Sequence, residues 1–400
     1  MLKSFIQAKK IIEIIEQHGY TAYIVGGAVR DYLLGRKIGD IDIASSAKPE
    51  QIQQIFDKVI PVGIEHGTVI VRFEGESYEV TTFRTEGLYS DHRHPDNVKF
   101  IDKIEKDLAR RDFTINAIAL DKHGNYVDPF NGRDDLNRHM IRTVGNPEER
   151  FKEDPLRMLR ALRFASQLGF DIETYTFTVL SYYVDYIERI AIERVATEVE
   201  KMFAGAYISS TTKLFIHSNM PNYLPILKDN TKIKKQIGQL KHPLHSFSEV
   251  IALSHYYENT ISIDKWVKDW KLSNQTRKDA HQLFQAITNY KENKLTPWLV
   301  YRLPNHLDKA LIRLLTILFS NSSIAQISLN ELRENLPITA RNQMAINGND
   351  ITHLFPNRQE GPWINQLLTK LEFAIVNGKV KNIRKDLEGL LKEWNPPEIN

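Results

Sequence analysis

The chain has 400 residues, with 53 Lys+Arg against 50 Asp+Glu, a formal net charge of +3, 42% hydrophobic and 26% charged residues, and no cysteine. These values exclude a disulfide framework, a thiolate zinc site and a cysteine nucleophile, fit a reducing cytoplasm, and argue against wholesale disorder. At roughly 150 residues per domain the length predicts two to four domains, and no apolar run approaches the roughly 20 residues of a membrane span.

The opening segment MLKSFIQAKKIIEIIEQHGY is charged and amphipathic, with Glu13 and Glu16 inside it, and does not read as a signal peptide. Helical spacing of Phe5, Ile6, Ile11, Ile12, Ile14 and Ile15 predicts a helix over 3–18. A short β-prone run, Tyr20–Val25, follows and ends in Gly26-Gly27. Val69–Phe73 and Tyr78–Phe83 flank Glu74-Gly75-Glu76-Ser77, a hairpin signal, and Ile118–Leu120 with Tyr126–Val127 form a second one around His123-Gly124-Asn125. Residues 85–97 (TEGLYSDHRHPDN) read as a long mobile loop. Beyond about residue 150 the chain is rich in Leu, Ile, Lys, Glu and Gln and punctuated by prolines, which predicts an array of short helices. The fold class expected is α+β: a head with a small mixed or antiparallel sheet flanked by helices, then all-α domains.

The densest chemistry is Gly26-Gly27-Ala28-Val29-Arg30-Asp31, followed by Asp40-Ile41-Asp42. Paired glycines after a strand let backbone N–H groups approach a phosphate, and a following helix adds its N-terminal dipole. Arg30 is placed to neutralise a phosphate. Aspartates at i and i+2 of a strand share a face, with Ile41 expected to be buried behind them. Two adjacent hard oxygen ligands suit Mg²⁺, which takes its other ligands from water and substrate phosphates. Glu79, on the hairpin strand with Thr81, is the candidate third carboxylate for a two-metal phosphoryl transfer. No Walker A, G-x-G-x-x-G or G-x-S-x-G pattern is present.

GGAVRDYLLGRKIGDIDIA, RRDFTINAIAL (110–120), DPFNGRDDL (128–136) and EDPLRMLRALRFASQLGF (153–170) together resemble the class II bacterial tRNA nucleotidyltransferases, the CCA-adding enzymes of the DNA polymerase β nucleotidyltransferase superfamily. The motifs cover roughly the first 205 residues; the rest agrees in size and texture. The resemblance implies template-independent building of CCA at the tRNA 3′ end from CTP and ATP, with Mg²⁺ and release of pyrophosphate, in the cytoplasm, without a membrane, and it allows for a homodimer. It implies a head at 1–138, a base-recognising helical neck at 139–200, and a body at 201–300 and a tail at 301–400 that bind tRNA. Asp40 and Asp42 carry over as metal ligands and catalytic residues. Gly27, Arg30, Arg111, Arg160 and Arg163 carry over as nucleotide contacts, and Asp154 and Arg157 as the amino-acid template that selects the base.

That last role has a chemical reason. Asp154 and Arg157 are spaced i, i+3, neighbours on one helix face; Arg160 and Arg163 continue the series, drifting about 60° per step. A carboxylate only accepts and a guanidinium only donates. Cytosine and adenine each present an amine beside a ring-nitrogen acceptor and match the pair; uracil and guanine reverse the order. Unpaired buried polar groups reject such an analogue by on the order of 10⁴-fold.

Other features read as structural. His92 and His94 are expected in solvent, His66 in a turn, the aromatic cluster Tyr175, Phe177, Tyr182, Tyr183 and Tyr186 in helix core, and Trp266 and Trp270 in core at i, i+4. Relatives with another product, namely CC-adding, A-adding or poly(A) polymerases sharing this head, stay open. The 85–97 loop, a feature of full CCA enzymes that CC-adding ones lack, favours complete addition. A non-catalytic tRNA-binding protein is disfavoured by the intact Asp40, Asp42, Asp154 and Arg157. The near-neutral charge is a cancellation: residues 1–200 hold 27 Lys+Arg and 33 Asp+Glu, and residues 201–310 hold 16 and 8. The basic excess lies in the part expected to grip a phosphate backbone.

Overall fold

The computed structural model describes residues 5–87, 98–319 and 322–394. The chain divides into two compact units, residues 1–243 with 269–271, and residues 244–268 with 272–400. Among the described residues no helix is long and apolar enough to cross a membrane.

In chain order the first unit contains α1 (Ile6–Gln17), β1 (Ala22–Val25), α2 (Gly27–Leu33), β2 (Asp42–Ser45), α3 (Pro49–Ile55), β3 (Val59–Gly63), β4 (Thr68–Phe73), β5 (Glu76–Thr82), β6 (Arg84–Glu86), β7 (Val98–Phe100) and α4 (Ile104–Ala109). It continues with β8 (Ala119–Leu120), β9 (Tyr126–Val127), α5 (Gly132–Asn137), β10 (Met140–Ile141), α6 (Pro147–Glu153), α7 (Leu156–Leu168), β11 (Asp171–Ile172), α8 (Thr174–Tyr182), α9 (Ile192–Phe203), α10 (Ile208–His217) and α11 (Thr231–Gly238). Seven strands make one mixed sheet in the order β3-β4-β5-β2-β1-β8-β9. Its one parallel pair, β2 with β5, sets Asp42 opposite Glu79; every other neighbour pair is antiparallel. Both expected hairpins form: β4–β5 turns at Glu74-Gly75, each with positive φ, and β8–β9 pairs Ala119 with Val127.

The sheet is held by apolar side chains at its strand centres and beneath it. Val25, Ala44, Phe83, Ile104, Leu108, Ala117, Ala119 and Val144 form one buried cluster, while Ile11, Ile12 and Ile15 bury the inner stripe of α1. Residues 85 and 86 of the expected loop are strand, β6, paired with β7; residues 88–97, with His92 and His94, lie outside the described residues.

The helical part departs from sequence expectation at the neck. Asp154 is not on the helix that carries Arg157. It ends α6 in an extended conformation, φ −136° and ψ 97°, because the residue preceding a proline is sterically excluded from the α region and Pro155 follows. Helix α7 then runs on strong formers, Leu, Met, Arg and Ala, and stops at Gly169 in the left-handed region. The aromatic cluster is not core throughout either. Helix α8 buries Thr176, Val179 and Leu180, so Tyr175 and Tyr182, seven residues apart on another face, are 54% and 76% exposed. In the second unit, helices Phe247–Tyr257, Asn274–Asn293 and Asp308–Phe319 are rich in buried aliphatics. Trp266 and Trp270 are fully buried, as expected.

Two glycines give a stability test. A Cβ on Gly132, at the start of α5, would lie 2.1 Å from the Thr114 carbonyl oxygen, whereas one on Gly389 would meet nothing within 4 Å. Gly132→Ala is expected to cost about 1–3 kcal/mol, as overpacking does, and Gly389→Ala, in an exposed helix position, to be neutral or stabilising. Thermal unfolding of the two variants checks both.

Candidate active site

A cavity of about 600 Å³ opens where the edge of β2 and β5 faces α7. From the sheet come Asp42, Glu79, Thr68 and Thr81; from α2 and its entry come Gly26, Gly27 and Arg30; from the neck come Asp154, Arg157, Arg160 and Arg163. The cavity thus gathers every predicted site residue except Asp40 and holds eight arginines, the others being Arg84, Arg110, Arg111 and Arg194, against four carboxylates. That excess of guanidinium is the electrostatic signature of a site for a multiply charged phosphate ligand.

Of the paired glycines, Gly26 carries the backbone constraint. Gly26 has φ +70°, and a Cβ there would come within 3.0 Å of Arg111 Nη1 and 3.8 Å of Asp42 Oδ2. Gly27 lines the cavity, but a Cβ on it would make only an ordinary contact, 3.5 Å from Arg30 Nη2. Gly26 therefore allows the strand-to-helix turn to bring Arg111 against the carboxylate edge.

Asp42 begins β2; Asp40 precedes the strand, is exposed, and lines a second cavity with Arg36 and Lys37. Ile41 is half-exposed, so the expected shared strand face with a buried Ile41 is not formed. The carboxylates still act on one another. Burial, then the charge of Glu79 opposite and of Asp40 two residues before, pushes the Asp42 carboxyl up to about 6, with Arg111 opposing. Among the described residues no three acidic or histidine side chains gather as a ready metal cage. The donor set fits a Mg²⁺-type ion all the same, since Mg²⁺ is held by one or two carboxylates with substrate phosphates and water completing its shell.

The arginines are held in defined directions. Arg30 bonds Asp31 through Nε and Nη2 and donates from Nη1 to Asn116 Oδ1 at 2.7 Å. Arg111 donates to Asp107, which also takes Arg110 Nε at 2.9 Å. Arg160 grips Asp112 Oδ2 through Nε at 2.8 Å and through Nη2, while Asp112 Oδ1 accepts from the Phe113 amide and Asn116 Nδ2. Arg163 donates to Glu198 Oε1 at 3.0 Å. Burial, with Arg160 nearby, pulls Arg163 down to about 10, and burial also lowers Arg111. Among the described residues, the Nε groups of Arg111 and Arg163 are buried without a hydrogen-bond partner. Phe164 lies under three guanidiniums, those of Arg30, Arg160 and Arg163, at 4.4–5.5 Å from its ring centre.

The sequence reading missed several of these groups. Arg194 comes from α9, 40 residues beyond the Asp154 it touches. Asn116 ties the distant Arg30 to Asp112, four residues before it, and Glu198 holds Arg163 from 35 residues away, although Asn116 lies in the RRDFTIN run and Arg194 and Glu198 stand at i, i+4 on one helix.

Comparison with known proteins decides the family. A model described as the poly A polymerase head domain matches residues 22–142. One described as tRNA nucleotidyltransferase domain 2 (putative) matches 243–391, and one described as a probable RNA and SrmB-binding site of polymerase A matches 169–230. The CCA-adding enzyme of Oceanobacillus iheyensis is 44% identical, with 99% of each chain covered. The chain belongs to the CCA-adding enzymes. It is therefore a tRNA nucleotidyltransferase. The CCA-adding enzyme of Anoxybacillus flavithermus is 41% identical over 98% of this chain and 97% of its own. Among solved structures, the Bacillus stearothermophilus CCA-adding enzyme in complex with CTP superimposes with a TM-score of 0.89 at 36% identity, covering 99% of this chain and 98% of that one.

Asp112 supplies a pH test. Burial alone would raise its carboxyl, but Arg160 and Asn116 outweigh it and hold the group near 2, against the ordinary 3.8. A depressed carboxylate stabilises the fold above its unfolded value and loses that contribution as pH falls through its folded one. The contribution, about 2 kcal/mol, should be complete above about pH 4 and fade towards about pH 2. In urea unfolding the gap between the native protein and Asp112→Asn should accordingly narrow across that window; a pH-independent gap would contradict the assignment.

Proposed function

We propose that this protein adds the complete CCA sequence to the tRNA 3′ end from CTP and ATP, in the cytoplasm, with Mg²⁺. One observation carries the reading: a single cavity holds a carboxylate edge, an excess of arginines, and Asp154 beside Arg157. Arg30, Arg111, Arg160 and Arg163 hold the triphosphate and neutralise the charge that builds on departing pyrophosphate. Asp154 and Arg157 read the amine and ring nitrogen of cytosine or adenine. The chain thereby orients the α-phosphate for in-line attack by the terminal ribose hydroxyl: the new P–O bond forms as the bond to pyrophosphate breaks. Asp40 and Asp42, with Glu79 as third carboxylate, would hold the metal, which supplies charge stabilisation at the phosphates and lowers the pKa of a hydroxyl bound to it.

Residues 1–138 serve as head and 139–200 as neck, with 201–300 and 301–400 as tRNA-binding body and tail. Support for the body comes from its charge. Residues 201–248 carry seven lysines and a single acidic residue, Asp229. Three of those lysines, Lys213, Lys234 and Lys235, line a cavity of about 470 Å³ that has no carboxylate in its wall. Complexes of relatives point the same way: the Thermotoga maritima CCA-adding enzyme has been solved with tRNA.

The test is direct. Purified protein, tRNA lacking its last three nucleotides, Mg²⁺ and labelled CTP and ATP should yield C, C, then A from one protein; addition of only C or only A would overturn complete addition. Asp42→Ala should lose about 10²-fold or more of incorporation while keeping its melting temperature, and near-normal incorporation would remove the carboxylate edge from the reaction.

A further inference from the structure

On one helix, an aspartate and an arginine at i and i+3 are neighbours that ion-pair with each other, and even off the helix Asp154 stays close in sequence to Arg157. A pair collapsed in that way offers a base neither acceptor nor donor, because each charge satisfies the other. Asp154 and Arg157 avoid this. Asp154 Oδ2 accepts from Arg194 Nη2 at 3.3 Å, and its Oδ1 from the Leu156 amide at 3.1 Å. Arg157 turns the other way, donating from Nη1 to Glu153 Oε2 at 3.1 Å and from Nη2 to the Arg110 carbonyl at 3.3 Å. Glu153 is itself fixed by Arg150 at 3.0 Å. Both members of the pair and Arg194 line the same cavity.

We infer that Arg194 is a positioning residue for base selection: its guanidinium draws the Asp154 carboxylate away from Arg157, so that acceptor and donor stand side by side with capacity left for a base. The inference rests on the reading that Asp154 and Arg157 choose the nucleotide. Each carboxylate oxygen has two lone pairs and the guanidinium has five N–H groups, so the bonds named above leave acceptor and donor sites on both side chains. The extended backbone that Pro155 imposes at Asp154 assists, because it takes Asp154 off the helix and towards α9, the helix that carries Arg194. Arg194 acts through Asp154, the carboxylate it bonds. Glu153 does for Arg157 what Arg194 does for Asp154.

The experiment measures kcat/KM for CTP against UTP and for ATP against GTP, in full-length protein with tRNA substrates, for Asp154→Ala, Arg194→Ala, Arg194→Lys and Arg194→Gln. Arg194→Ala should narrow both ratios by about ten- to a hundredfold, the scale of a misplaced contact group, with KM for CTP raised. Arg194→Lys, which keeps the charge, should recover much of the discrimination, and Arg194→Gln should not. A merely structural role would lower the use of all four nucleotides by one factor and leave the ratios unchanged. Unchanged ratios in Arg194→Ala alongside relaxed ratios in Asp154→Ala overturn the inference while sparing the base-reading pair. Unchanged ratios in Asp154→Ala overturn both. If Arg194→Ala fails to fold, Lys and Gln carry the comparison, and equal ratios in those two overturn it.

Discussion

Asp112 joins the segment packed on the sheet to helix α7 through both of its carboxylate oxygens. Its two oxygens are divided between them. One takes the Phe113 amide and the Asn116 side chain, and the other takes Arg160 of α7 through two N–H groups. Asn116 in turn receives Arg30 from α2. A chain of charge-assisted bonds, Arg160–Asp112–Asn116–Arg30, therefore sets two cavity arginines from different elements at fixed positions. A buried ion pair contributes little net stability over an apolar replacement, and breaking it is costly because one charge is left unpaired. What the pair fixes is direction, because two N–H groups of Arg160 meet one oxygen of Asp112.

Around that node the cavity concentrates like charges that repel one another. Eight arginines face four carboxylates, and the effects appear at both poles. Arg163 is pulled down by burial and by Arg160, and Asp42 is pushed up by burial and by Glu79. In the proposed function a metal nucleotide would answer both strains at once, with the guanidiniums holding its phosphates and the carboxylates its cation. In the proposed function, selectivity is kept apart from this charge field and falls to Asp154 and Arg157, each anchored by an outside partner, Arg194 or Glu153. Triphosphate binding and base choice are, in that proposal, assigned to different side chains on one frame.

Much of this could be read from the sequence where the signal is local. The strand before Gly26-Gly27, the β4–β5 hairpin at Glu74-Gly75 and the arginine series on α7 all follow from spacing and turn chemistry, whereas Glu79, a candidate from its strand alone, is set opposite Asp42 by the parallel β2–β5 register. The break at Asp154 was also written there, in Pro155, but the i, i+3 periodicity masked it. What stayed hidden was set by tertiary approach. The Arg194–Asp154 contact spans 40 residues and Arg30–Asn116 spans 86, and neither leaves a mark in composition or period. The exposed Tyr175 and Tyr182 show the same limit: aromatic content indicated core, while the packing of Val179 and Leu180 decided which face of α8 was buried.

The division between a cationic phosphate floor and a hydrogen-bonding base reader is tested most directly by calorimetric titration of the native protein with CTP, ATP, UTP and GTP in Mg²⁺ buffer at two salt concentrations. CTP and ATP should each bind about tenfold or more tightly than UTP and GTP, and all four should weaken together as salt rises, because the phosphate contribution is common to them. Four equal affinities would contradict base reading by Asp154 and Arg157, and salt-independent binding would contradict the arginine floor.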